Sequence, residues 1–465
     1  MSGILVGVVG VVIASPFVAL GTFLLIFHVV GRLKRRRDIG FFHPYAASGG
    51  GGERVLFCAL QTLPATSTAV IYIGEPITPT KLLQDAQSRF NFSASDVKCK
   101  IVVVELAYRT LLEAKHYPRF TLLGQSIGSM LLGLEAFLRH PVGVWVDTTG
   151  CAFTYPLAWL GGATIVTYTH YPTISMDMLD VVARRDVAFN NDAAVAKSLT
   201  KSTAKLVYYR FFAALYGFVG GFAQVVMVNS RWTLNHIKQL WRSALPLVVY
   251  PPCGTTSFQT FPLADRQPWA LSVAQFRPEK DHSLQLRAMR VLLDTHPDAM
   301  ATTFRDFKMI LLGSCRGDED EARVSVLRQE CADLGLGDSR VQFVVNAPFS
   351  DLTSYLAKAS IGLHSMRNEH FGIGIVEMMA AGLVVIAHDS GGPREDIVKP
   401  GTGYLATTPE EYATYMYDIL TQPNDADDTR QAARVSAGRF SDEIFQESFA
   451  TALAPVLALS AASTI

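Results

Sequence analysis

Hydrophobic and polar positions divide this chain into stretches of different rhythm. Residues Ile4 to Val30 are almost wholly apolar, broken by Pro16 and a late His28, and exceed the roughly 20 residues that a bilayer-crossing helix needs. Beyond them short apolar runs recur at Ala69–Ile73, Ile101–Val104, Val142–Val146, Ala163–Tyr168, Val225–Val228 and Leu247–Tyr250. Helically spaced apolar residues separate these runs, which predicts a doubly wound parallel sheet. Pro251-Pro252 and the looser segment through Pro268 predict a linker. The same alternation then returns, with strands near Ala270, over Met309–Leu312, Val341–Val345 and Ile361–His364, and a last helix over Asp442–Leu459. The expected fold class is α/β, with two Rossmann-like domains facing a cleft and a transmembrane helix in front. The expected boundaries are 1–37 for the anchor and its basic flank, 38–262 and 263–441 for the two domains, and 442–465 for the final helix.

Charge refines this picture locally. The net charge is zero, with 41 residues of each sign, so no global field draws the chain to nucleic acid. Arg32 and the run Lys34 to Arg37 follow the apolar stretch at once, and nothing charged but the amino terminus precedes it. A cleavable signal peptide has the opposite order, so an uncleaved anchor is expected. The positive-inside rule then places everything after Arg37 in the cytosol. A basic nucleic-acid or localisation patch is the competing reading. The six cysteines are scattered without a C-x-x-C, which fits reduced thiols and indicates neither a disulfide framework nor a zinc site. On the cytosolic side the sequon at Asn91 would go unused. A second apolar stretch, Lys205 to Val228, has Arg210 as its one charge after Lys205. It reads either as an aromatic-rich interfacial helix or as a helix inside the core. A second crossing would put a bilayer between the two halves of any shared site.

The chemistry concentrates in Glu369-His-Phe-Gly-Ile-Gly-Ile-Val-Glu377. Phe371, Gly372 and Ile373 start a helix whose free N–H groups can hold a phosphate or diphosphate. A diphosphate repels carboxylates, so Glu369 and Glu377 are expected to accept hydrogen bonds from sugar hydroxyls on either side of it. The implied ligand is a nucleotide sugar. Gly50, Gly51 and Gly52 lead into a helical pattern at Glu53, and read either as a linker or as backbone brought close to a phosphate or acceptor. Lys280, with Arg277 three positions before it, sits at a strand-to-helix turn, and the pair reads either as cations that can neutralise a leaving phosphate or as a solvated basic loop. Gly313 and Ser314 end a strand facing the cleft, as does His170, which is a cleft residue or merely hydrogen-bonded. One feature competes: Gly124-Gln-Ser126-Ile-Gly128, after the run Phe120–Leu123 and before a helical pattern, fits a hydrolase nucleophile elbow. A catalytically silent membrane scaffold is the third class of reading.

The E-x7-E block, Val384–Ala387 and Gly391-Gly392-Pro393-Arg394-Glu395 resemble the donor site of retaining glycosyltransferases of the type B, two-Rossmann-domain fold. That resemblance implies that Glu369 contacts the donor hexose, Glu377 the ribose, the intervening amides the diphosphate, and His170 the sugar's hydroxymethyl side. The family's diphosphate-binding Arg falls on Gln275, two places before Arg277. From His43 onward the chain is similar to the endoplasmic-reticulum α-1,2-mannosyltransferases of glycosyltransferase family 4. This implies GDP-mannose as donor and a dolichyl-diphosphate oligosaccharide as acceptor, the fourth and fifth mannoses being added. It further implies catalytic domains on the cytosolic face of the endoplasmic-reticulum membrane, other mannosyltransferases of the pathway as partners, and a final helix packing back across the domains. No D-x-D stands where a metal would meet the diphosphate, so neither a metal nor another cofactor is expected.

Overall fold

The computed structural model describes residues 18–19, 21–48, 50–90, 92–186, 193–241 and 245–462. Most of the expected anchor, residues 1–17 and 20, and Asn91 of the sequon lie outside them. Residues 21–34 are helical. Among the described residues one helix, Thr121–Arg139, is long and apolar enough to cross a membrane, and its inner side packs on a sheet.

The first domain holds a seven-stranded, all-parallel sheet of order β3-β2-β1-β4-β5-β6-β7. Its strands are β1 (Arg36–Phe42), β2 (Thr68–Ile73), β3 (Lys100–Glu105), β4 (Val142–Asp147), β5 (Thr164–Thr169), β6 (Val225–Val228) and β7 (Leu247–Val248). β1 starts inside the stretch read as a basic flank. Its Arg36 and Arg37 are exposed, while Phe41 and Phe42 are fully buried, so the charges hang off the sheet's trailing edge. The second domain is a six-stranded parallel sheet of order β10-β9-β8-β11-β12-β13. It comprises β8 (Gln267–Val273), β9 (Lys308–Gly313), β10 (Val341–Val345), β11 (Ala359–His364), β12 (Val384–His388) and β13 (Tyr404–Ala406).

In each sheet the strand order reverses between two neighbours, β1 with β4 and β8 with β11. The loops leaving a reversal splay apart and open a crevice at the carboxyl ends of the strands. The two crevices face each other. Helices 21–34, Thr121–Arg139, Tyr155–Leu160 and Leu199–Gly220 cover one side of the first sheet. Gly51–Gln61 and the last helix, Asp442–Ala462, cover the other through Phe445, Phe449 and Leu453. The chain therefore returns to the first domain after completing the second, and Arg54 ties the crossing down on Asp442 at 2.6 Å.

The nucleophile elbow does not form. Phe120 takes a left-handed φ of 54° and the helix begins at Thr121, so Phe120–Leu123 is no strand and Ser126 lies on the helix rather than on a strand-to-helix turn. Its hydroxyl is buried and donates to the Leu122 carbonyl at 2.7 Å. The glycines of the motif admit neighbours: a Cβ at Gly124 would fall 2.3 Å from the Tyr117 ring, and one at Gly128 would fall 2.2 Å from the Leu111 carbonyl oxygen. Ser126→Ala removes one hydrogen bond, worth about 1 kcal/mol. It is expected to leave turnover unchanged, and a fluorophosphonate probe is expected not to label the wild type. Labelling would restore the hydrolase reading.

Candidate active site

The loop after β11 sets the central carboxylate. One Glu369 oxygen, Oε2, accepts from Lys280 Nζ at 2.7 Å and pairs with His364 Nε2 at 3.1 Å. The other, Oε1, accepts from the His370 backbone N–H at 3.1 Å. Burial pushes the Glu369 carboxyl up, but the His364 hydrogen bond and the Lys280 charge outweigh it and hold the group well below the usual carboxylate range. Glu369 is therefore an ionised acceptor at any working pH and a very poor proton acceptor. Gly391 and Gly392 make its position possible. A Cβ at Gly391, whose φ is +60°, would stand 2.3 Å from the Glu369 carbonyl oxygen, and Gly392 N–H donates to that same oxygen at 2.8 Å.

Gly372, at φ +115°, caps the helix Ile373–Ala381. This helix start faces the start of Gly51–Gln61 across the cleft: a Cβ on Gly51 would sit 2.8 Å from Ile373 Cδ1. Gly50–Gly52 thus open a packed helix instead of forming a linker, and Glu53 turns back to accept from Gly50 N–H at 2.7 Å. A cavity of about 540 Å³ is bounded by Gly51, Gly52, His170, Lys280, Glu369 and the Phe371–Gly374 backbone. A second, of about 480 Å³, shares Gly51 and Ile373 with it and extends to Gly50, Arg54 and Glu377. Two helix N-termini therefore converge on one elongated cleft, a natural seat for an anion.

His170 meets the first cavity from the β5 loop. Its Nε2 is buried without a hydrogen-bond partner and lies 3.6 Å from where a Gly52 Cβ would be. Burial and the neighbouring His370 lower its pKa to about 4, so the ring is neutral. On the other side His370 is stacked on Tyr171, with centroids 4.0 Å apart, and on Trp232 at 5.4 Å. Asn368 Nδ2 donates to Asp177 at 3.1 Å. These contacts bridge the domains beside the chemistry.

Glu377 occupies the far end, where burial, opposed by Arg54 and reinforced by Asp442, raises its pKa to about 7. A carboxylate can accept two hydroxyl hydrogen bonds, and on protonation it loses acceptor capacity. Donor kcat/KM is therefore expected to fall as pH drops through about 7. Glu377→Gln should start lower and lack that limb. An acid limb that survives the substitution would assign it elsewhere.

The structure does not gather every expected residue. Arg277 lines neither of these two cavities, and its guanidinium faces Glu279 at 3.8 Å. Gln275 takes the wall position; with its amide oxygen turned toward Arg316, it accepts from Nε at 3.1 Å and from Nη2 at 2.7 Å. Gly313 and Ser314 line neither cavity. Gly313 instead lets β9 pass β8, since a Cβ there would lie 1.9 Å from the Ala274 carbonyl oxygen. Sequence reasoning missed His364, Arg54 and Arg316. A histidine ending β11 five residues before Glu369 was a usable signal for the first. Nothing local marks the other two.

Two crevices facing each other, a helix start flanked by acids and a cleft lysine define a glycosyltransferase of the two-Rossmann, type B class. Residues 255–436 match the family described as glycosyl transferases group 1, and residues 36–241 match the ALG11 mannosyltransferase N-terminus. Solved structures show the same fold: Anabaena HepE with UDP and glucose has a TM-score of 0.60 at 19% identity, covering 90% of this chain and 100% of that one. Sucrose-phosphate synthase from Thermosynechococcus elongatus has 0.63 at 15%, covering 91% and 100%. Among curated proteins, the GDP-Man:Man(3)GlcNAc(2)-PP-Dol alpha-1,2-mannosyltransferase of Xenopus laevis is 45% identical over 91% of this chain and 88% of its own. The human protein of that name is 45% identical over 90% and 86%, and that of Dictyostelium discoideum 39% over 90% and 85%. The chain belongs to this α-1,2-mannosyltransferase family.

Proposed function

We propose that the chain transfers mannose from GDP-mannose, with retention of configuration and in α-1,2 linkage, to Man(3)GlcNAc(2)-PP-dolichol, adding the fourth and fifth mannoses. The observation that carries this reading is the Lys280–Glu369 pair at the mouth of the Ile373–Ala381 helix, in a chain so similar to enzymes named for that reaction. The diphosphate lies against the amides of Gly372–Gly374, with Lys280 beside the leaving phosphate, where negative charge accumulates. Glu369 accepts from the mannose hydroxyls and balances positive charge near the anomeric carbon. It does not take a proton. His170 Nε2 accepts from the hydroxymethyl end of the sugar, Glu377 holds the ribose, and Gly50–Gly52 border the acceptor side.

Lys280 and the helix amides supply the charge that a metal provides in other transferases, so turnover is expected to persist in EDTA. The apolar amino-terminal segment anchors the chain in the endoplasmic-reticulum membrane with both domains on the cytosolic face, within reach of other mannosyltransferases of the pathway. The test is a donor screen on synthetic phytanyl diphosphate oligosaccharide, reading product mass and sensitivity to α-1,2-mannosidase. GDP-mannose alone should add up to two mannosidase-sensitive hexoses. Transfer from a UDP-sugar instead, or a product resistant to the mannosidase, would overturn the assignment.

A further inference from the structure

We infer that His370 is a positioning residue: its ring, stacked on Tyr171, fixes the gap between Glu369 and His170 across the cleft. The inference deepens the proposed function, which seats the hexose in that gap, and rests on it. His170 is followed at once by Tyr171 on the first domain, and Glu369 by His370 on the second. These two neighbours meet face to face, with centroids 4.0 Å and planes 25° apart. Each of the cavity-lining pair, His170 and Glu369, is therefore one peptide away from a ring that grips the opposite domain.

Both sides of the grip are braced. The Tyr171 hydroxyl donates to Ser175 Oγ at 3.3 Å, and that oxygen also accepts from Met178 N–H at 3.2 Å to cap helix Met176–Arg184. Trp232 stacks on both partners, 5.7 Å from Tyr171 and 5.4 Å from His370. One turn further along its helix, Arg231–Leu240, His236 packs edge-on against Trp232 at 4.2 Å and faces Asp177 at 3.6 Å. The same Asp177 oxygen accepts from Asn368 Nδ2 at 3.1 Å. Glu369 thus stands between two immediate neighbours, Asn368 and His370, that both reach the first domain. The start of helix Arg231–Leu240 is pinned as well, since Arg231 N–H donates to Asp396 of the second domain at 2.9 Å.

The grip supplies what the second domain alone does not. Lys280, His364 and the His370 amide orient Glu369 within its own domain, but none of them sets its distance from His170, which belongs to the other. A reacting sugar needs both walls held to within about 0.5 Å. A pair of flat rings has a preferred separation, so it acts as a spacer between them. Burial, opposed by Glu369 and reinforced by Lys280 and His236, lowers the His370 pKa to about 4, and the stacked ring is the neutral imidazole. Its backbone N–H donates to Glu369 Oε1, so a shift of the ring passes directly to the carboxylate.

Two substitutions in the full chain separate the ring face from the ring nitrogens. His370→Leu loses the face and is expected to lower kcat with GDP-mannose by about 10- to 100-fold, the range that a misplacement of about 1 Å reaches. GDP affinity, measured by calorimetry, should not change, because Gly372–Gly374, Lys280 and Glu377 still hold the nucleotide. His370→Phe keeps the face without the nitrogens and should recover most of the rate. Tyr171→Leu should match His370→Leu, and the double leucine variant should be little slower than either, since all three lose one and the same contact. Hydrogen exchange reads the grip without turnover: His370→Leu should speed amide exchange over both 170–174 and 366–370, and His370→Phe should not. A wild type that transfers no mannose yet shows this exchange pattern would sink the functional reading alone. A phenylalanine variant as slow as the leucine one, GDP affinity lost with leucine, fully multiplicative losses, or faster exchange confined to 366–370 would each overturn the inference.

Discussion

Glu369→Ala is expected to lower kcat/KM by about 10³-fold or more, on the scale of the 3–5 kcal/mol that follows removal of one partner from a buried charge pair. Three donors converge on this carboxylate, from Lys280, His364 and the His370 amide. Removing it leaves all three without their acceptor. Glu369→Gln separates charge from shape. If balance of positive charge is the residue's task, the amide is nearly as damaging as alanine; if the side chain only orients hydroxyls, the amide recovers much of the activity. Circular dichroism and thermal unfolding close to wild type would show that the loss is chemical. Wild-type turnover by either folded variant would refute the role.

Lys280→Ala is expected to cost about 10²–10³ in kcat, the usual effect of deleting one preorganised stabiliser of developing negative charge. Donor KM should rise less, because the helix amides still hold the diphosphate. Lys280→Arg keeps the charge and should recover part of the rate, but a guanidinium does not reproduce a point charge. Since Lys280 and Glu369 touch at 2.7 Å, their effects should not multiply: the double variant should be little slower than the worse single one. Fully multiplicative losses would mean that the two act independently.

Much of this site was legible because its signals are local. The E-x7-E spacing, the glycines and the strand before them describe one β-turn-α unit, and short-range stereochemistry dictates where its amides point. Gly391 and Gly392 show why that motif tolerates no side chain: they lie directly under the Glu369 loop. β1 escaped notice because three of its seven residues are charged and its neighbours β2 and β4 are distant in sequence, so its burial is a tertiary fact. Phe120–Leu123 misled for the converse reason. Four residues, three of them apolar, have no distinguishable period, and a left-handed Phe120 decided for the helix. Arg54, which bears on Glu377 and is fixed by Asp442, 388 positions away, is invisible to any reading of motifs. The stretch Lys205–Val228 is not wholly inside the core: helix Leu199–Gly220 has one side packed on the sheet and the other facing out.

The central claim is that the diphosphate of a nucleotide sugar rests between two facing helix starts, with the Lys280 ammonium beside it. A cryo-electron-microscopy map of the full chain with a non-transferable 2-fluoro analogue of GDP-mannose tests it most directly. The phosphates should appear within hydrogen-bonding reach of the Gly372–Gly374 amides and Lys280, with the ribose at Glu377 and the hexose between Glu369 and His170. Phosphate density away from the Ile373 helix start, with Lys280 still engaged by Glu369 alone, would contradict it.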